Sequence, residues 1–112
     1  RKLMKATTKS LYEITAMADD AFIAKHPNHH TSLGLMDKVL RAKGIPADAV
    51  TVDNIDSKIR VVLLILDHQP DLVGIGIGST LVDDIRLLSE LNLNDLTVND
   101  VLALLEEHLI SN

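Results

Sequence analysis

The chain has 112 residues, no cysteine, no tryptophan, one Tyr and one Phe, and a formal net charge of −5. Without cysteine there is no disulfide scaffold, no thiolate zinc site and no Cys nucleophile. With two aromatics there is no stacking platform for single-stranded nucleic acid.

Residues 1–112 are expected to form a single domain, long enough to bury a core without staples. The longest apolar run, Val61 to Leu66, falls far short of the ~20 residues a bilayer span needs. No basic stretch followed by an apolar one opens the chain, so no signal peptide is read, although a first residue of Arg leaves a lost leader open. A cytoplasmic protein is the expectation. Charge is unevenly placed. Residues 1–60 carry ten Lys/Arg against seven Asp/Glu, whereas residues 61–112 carry one against nine. A basic half could meet an acidic partner surface, including the acidic half of a second copy.

The first predicted element is an amphipathic helix over residues 2–25. Leu3, Met4, Leu11, Ile14, Ala18, Ala21 and Phe22 share one side of the wheel, and Lys2, Lys5 and Lys9 lie opposite. Pro27 should stop it at His26, and residues 26–30 then form a loop. A second helix starts at Thr31 or Ser32 as N-cap, with Leu33, Leu35, Met36, Val39 and Leu40 as its apolar arc. Gly44 is its left-handed terminator, with Ile45 and Pro46 following.

A polar linker leads to a third predicted helix, capped by Thr51 or Asp53 and striped by Ile55, Ile59, Val62 and Leu66. Its all-round apolar character marks it as central and buried. The rival reading is a buried strand over residues 59–66, which periodicity alone does not separate from a helix. The fourth helix is predicted from Asp71 to Leu91, running through Gly74, Gly76 and Gly78. Here too a strand over residues 72–78, turning at Ser79-Thr80 into a helix, is the alternative. The fifth starts at Thr97, with Asp100 completing a capping box and Leu96 and Val101 as a hydrophobic staple. Leu93-Asn94-Asp95-Leu96 ahead of this acidic helix resembles the end of acyl-carrier domains. The Asp-Ser-Leu attachment motif of that family is absent, and no function is carried over from it.

The expected fold is therefore all-α, a compact bundle of about five helices. A small α/β domain with strands near 59–66 and 72–77 is the alternative.

Three features bear on chemistry. Gly74-x-x-x-Gly78 would clear one helix face for the backbone of a second helix, within the fold or across a homodimer. Read instead as a strand and loop, the stretch 74–80 could hold an anion at a following helix N-terminus. It lacks a P-loop lysine and misses the dinucleotide spacing. His26, His29 and His30 are the candidate metal ligands, since imidazoles suit zinc, nickel or copper, but the spacing matches no zinc motif. The pairs Asp19-Asp20, Asp83-Asp84 and Glu106-Glu107 point apart on a helix and form no acid–base dyad. There is no Gly-x-Ser-x-Gly elbow. The acidic total argues against nucleic acid despite Lys2, Lys5 and Lys9. The expectation is a small, acidic, non-enzymatic interaction or regulatory module that self-associates as a dimer. It has no cofactor and no membrane contact, and Gly74, Gly78, Lys2, Lys5 and Lys9 form its interface. The alternative is a ligand-, anion- or metal-binding domain, with enzymatic activity open to it, using residues 74–80 or the histidines.

Overall fold

The computed structural model describes residues 5–82 and 84–110. Helix α1 (Ala6–Lys25) leads into strand β1 (Thr31–Met36), a short helix α2 (Lys38–Ala42), and strands β2 (Ala47–Asn54), β3 (Ile59–Leu66), β4 (Leu72–Ser79) and β5 (Ile85–Asn92). A 3-10 turn (Leu93–Asp95) and helix α3 (Val98–Leu109) follow. The strands form one antiparallel sheet in the order β1-β2-β3-β4-β5. Among the described residues, no helix is long and apolar enough to cross a membrane.

The all-α bundle is therefore overturned, and the α/β alternative fits. Strands replace the first half of the predicted second helix and the third and fourth helices, for reasons that lie in side-chain placement. In β3, Val61, Leu63 and Ile65 face the core under α1 and α3. Val62, Leu64 and Leu66 face the opposite side, in a second cluster around Leu40 of α2. A strand apolar on both faces has no polar alternation to read, which is how it resembles a buried helix. In β4 the alternation is Gly against Val or Ile. Val73, Ile75 and Ile77 line the core side, while Gly74, Gly76 and Gly78 lie on the other. A helix through these glycines would cost about 1 kcal/mol at each one. The strand instead pairs on both sides, to β3 and β5.

The stretch read as a polar linker is β2, which pairs with β1 and β3. Its small outward residues Ala47, Ala49 and Thr51 alternate with Asp48, Val50, Val52 and Asn54, and every one of these is buried. The polar inward residues are satisfied. Thr8 Oγ1 of α1 donates to Asp48 Oδ2 at 2.9 Å, and Asn54 Nδ2 donates to the Leu109 carbonyl of α3 at 2.9 Å. These bonds offset the burial of polar groups that would otherwise disfavour a core strand. In β1, Thr31 caps no helix; its hydroxyl donates to Asp19 Oδ1 at 2.6 Å.

Several local expectations hold. Helix α1 ends at Lys25 with His26 as its C-cap. Gly44 terminates α2 with φ +82°, and the bonds Gly44 N–H to Arg41 O (3.0 Å) and Ile45 N–H to Leu40 O (2.9 Å) form a Schellman closure. The helix it ends is only five residues long. The Thr97/Asp100 capping box is present in both directions, at 3.1 and 3.0 Å.

Helix α1 rests on β1 and β2, whereas α3 rests chiefly on β3 and also packs on α1. Val73 and Ile75 of β4 are fully buried in the same core as Val101 and Leu105 of α3. Helices pack 8–10 Å apart and strands lie 4.7–4.9 Å apart, so a helix covers about two strands. Two helices thus cover four strands, and β5 is left over.

Candidate functional site

The consequence is plain along β5, where all eight residues are exposed. Four of them are large and apolar, with Leu87 63% exposed, Leu88 40%, Ile85 37% and Leu91 37%, and the β4–β5 turn adds Leu81 at 74% and Val82 at 57%. Ile85 and Leu87 sit opposite Gly78 and Gly76, and so share the outward face with the glycines. Leu91 and Arg86 sit opposite Val73 and Ile77, on the helix side. A register shift between Ile75 and Gly76 marks a bulge in β5 at residues 87–89, where Leu88 is the extra residue, which alters which face each side chain takes along the strand.

Gly74 and Gly78 are therefore not on a helix face, and the close approach is made within the chain, at Gly76 and Gly78. A Cβ at position 74 would lie 3.6 Å from Leu87 Cδ2, and one at position 76 would lie 2.8 Å from Ile85 Cγ2; at position 78 it would run into the Asp84 carbonyl oxygen. The glycine row is the bed on which β5 and its side chains lie.

The lysines do not converge on a surface with the glycines. Lys2 lies outside the described residues. Lys9 is exposed on α1, and Lys5 Nζ pairs with Asp67 Oδ1 at 2.6 Å. Arg41 joins that site, binding Asp67 and also reaching Asp48 Oδ1 at 2.8 Å. Flanked first by Arg41 and then by Lys5, the Asp67 carboxyl is held well below its ordinary value. Lys25 and His26 both meet Glu106 Oε2, at 3.0 and 2.8 Å, and together they lower its pKa, His26 contributing most. The uneven charge along the sequence is thus partly spent inside the fold, where cations from the first half meet carboxylates from the second. Burial, opposed by the Thr31 hydrogen bond, raises Asp19.

The histidines are held by separate partners. His26 is on Glu106, His29 Nδ1 is 3.3 Å from Asn54 Nδ2, and His30 Nδ1 is 3.3 Å from Asp56 Oδ2. His26 and His29 also stack around Phe22, with ring centroids 5.0 and 6.0 Å from it. Among the described residues, no group of three or more His, Asp or Glu is arranged to hold a metal ion. The stretch 74–80 leads into a hairpin, so the helix N-terminus that the anion reading requires is not there. Ser79 Oγ instead accepts from Leu81 N–H at 3.0 Å.

Sequence reasoning missed the β5 surface because Leu81, Val82, Ile85 and Leu88 fit the face of a helix continued through the glycines. The signal that could have found it is the pair of polar dipeptides, Ser79-Thr80 and Asp83-Asp84, between two eight-residue stretches. No family model, curated protein or solved structure matches the chain.

Proposed function

We propose that this chain is a small, non-enzymatic protein-interaction module that self-associates through its β5 side. The observation that carries this reading is an edge strand exposed along its whole length, with an apolar hairpin tip beside it. Contiguous apolar surface of this kind marks association sites on water-soluble domains. The outward residues Leu87 and Ile85, with Leu81 and Val82 at the tip, form the contact between copies. They replace the glycine and lysine interface expected from the sequence. Strand-to-strand addition is opposed by the bulge and by the charged Arg86 and Glu90, features that blunt sheet edges. The contact is therefore made by side chains. The absence of cysteine suits a reducing compartment, such as the cytoplasm.

Sedimentation equilibrium tests this reading. A mass that is a multiple of 12.3 kDa, falling to one copy in Leu87→Asp, is expected. A single-copy mass for the natural chain across micromolar concentrations would overturn it.

A further inference from the structure

The helix side of β5 offers a second surface, which adjoins the outward face at Val82 and Ile85. Between β5 and α3 runs an open groove in two stretches, of about 700 and 520 Å³, with Glu107 lining both. One stretch is floored by Ile59 and Ile77 and bounded by Arg86 and His108. The other is floored by Leu91, Leu96 and Leu104, with Ala103 on its wall. We propose that this groove seats one amphipathic helix of a partner protein, with an aliphatic stripe flanked by Lys and Arg.

Three observations lead there. The first is dimension. Since each helix covers about two strands, a helix laid beside α3 would lie over β5. Eight strand residues span roughly 26 Å, the length of about 17 helical residues. The second is charge. Asp95, Asp100 and Glu107 surround the Leu91–Leu96–Leu104 floor, Glu90 lies on the strand beside it opposite Gly74, and no Lys or Arg is among the residues lining that stretch. Arg86 is the one Lys or Arg in the other stretch, where Asp84 and Glu107 also lie. A basic rim on the occupant complements this, and an acidic one is repelled. The third is supply. In α1 and α3 the apolar faces are committed to the chain's own core through Leu11, Phe22, Val101 and Leu105. Helix α2 is five residues long, and its Leu40 belongs to the outward cluster. Among the described residues, a second copy has no free helix to lend, which favours a helix of a partner protein as the occupant. The mode is helix-in-groove recognition, read by anchors at i, i+3, i+4 and i+7.

The test uses the full chain and a synthetic 17-residue peptide of leucine and lysine in helical spacing. Its controls are a peptide of the same composition with leucines spread round the wheel, and one with Glu in place of Lys. Binding is followed by fluorescence anisotropy and by amide shifts. The helical basic peptide should bind and move the amides of Ser89, Leu91, Ala103 and Leu104. The shuffled peptide should bind at least tenfold more weakly, and the acidic one should not bind. Ala103→Arg fills the groove from an exposed helix position that tolerates arginine; it should weaken binding at least tenfold without changing the solution mass. Leu87→Asp should change the mass and leave peptide binding intact, so failure here and failure of self-association are read separately. Equal affinity for the shuffled peptide, undiminished binding by Ala103→Arg, shifts confined to other surfaces, or no binding would each overturn the proposal.

Discussion

The two edges of this sheet have opposite fates. At β1, Leu33 and Leu35 are half-buried against the main core, and Ser32 is the one fully exposed residue of the strand. A hydrogen bond from Thr31 to Asp19 ties that strand to α1, and α2 follows at once, its Leu40 sealing the outward side. At β5 no helix among the described residues stands above the strand, and its aliphatic side chains meet solvent. Both edges belong to the same sheet, so the difference is one of helix supply. Among the described residues there are two long helices for five strands, and both are spent on the β1 side and the centre. The exposed side is a product of the fold's arithmetic, and aliphatic residues stand there in solvent.

The largest expected effect sharpens the comparison from the covered side. Phe22 is fully buried in the core, and Phe22→Ala should cost about 3–5 kcal/mol in denaturant unfolding. Leu87→Ala, at a site 63% exposed, should change the stability of a single copy by no more than about 0.5 kcal/mol. A comparable loss at both positions would erase the distinction between the edges.

Arg41→Ala comes next. It strips Asp48, a residue only 6% exposed, of its ion-pair partner and should lower the denaturant midpoint, by less than Phe22→Ala does because Arg41 itself is partly solvated. The same variant should show a change of acid limb. A depressed carboxyl adds stability at pH above its ordinary value and loses it as pH falls through the folded value. With Arg41 in place, the contribution of Asp67 persists below its ordinary value of 3.8; in Arg41→Ala it should fade nearer that pH. Acid titrations followed by circular dichroism check this, and superimposable acid limbs would refute the pairing.

Gly78→Ala acts on the bed of β5. Its Cβ would meet the Asp84 backbone carbonyl, which no rotamer change relieves, and overpacking of this kind costs about 1–3 kcal/mol. Faster amide exchange confined to residues 84–92 is expected, with β1 unaffected. Smallest is Asp19→Asn beneath β1. Burial raises Asp19, so its ionisation opposes folding as pH climbs above the ordinary value of 3.8 and through the raised one. The variant should unfold at slightly higher denaturant at neutral pH and match the natural chain well below 3.8.

How far the sequence spoke follows from these same residues. Helix ends were legible because they are local: Gly44 with Ile45, and Thr97 with Asp100, close their bonds within a few residues. The strands were hidden because their logic is non-local. The outward side chains of β3 are apolar owing to α2, and Asp48 and Asn54 in β2 are tolerated through Thr8 and the Leu109 carbonyl. The glycines clear no helix face: they lie in a strand, and at Gly76 and Gly78 what approaches is β5 of the same chain and the residue before it. Lys5 was read as an exposed recognition residue, although Asp67, 62 positions away, takes it up.

The central claim, that the β5 side is where copies meet, is tested most directly by amide shifts recorded over a dilution series. Signals of residues 81–92 should move with concentration while those of Thr31–Met36 stay fixed. Shifts that never change with concentration, or that change at β1 and not at β5, would contradict it.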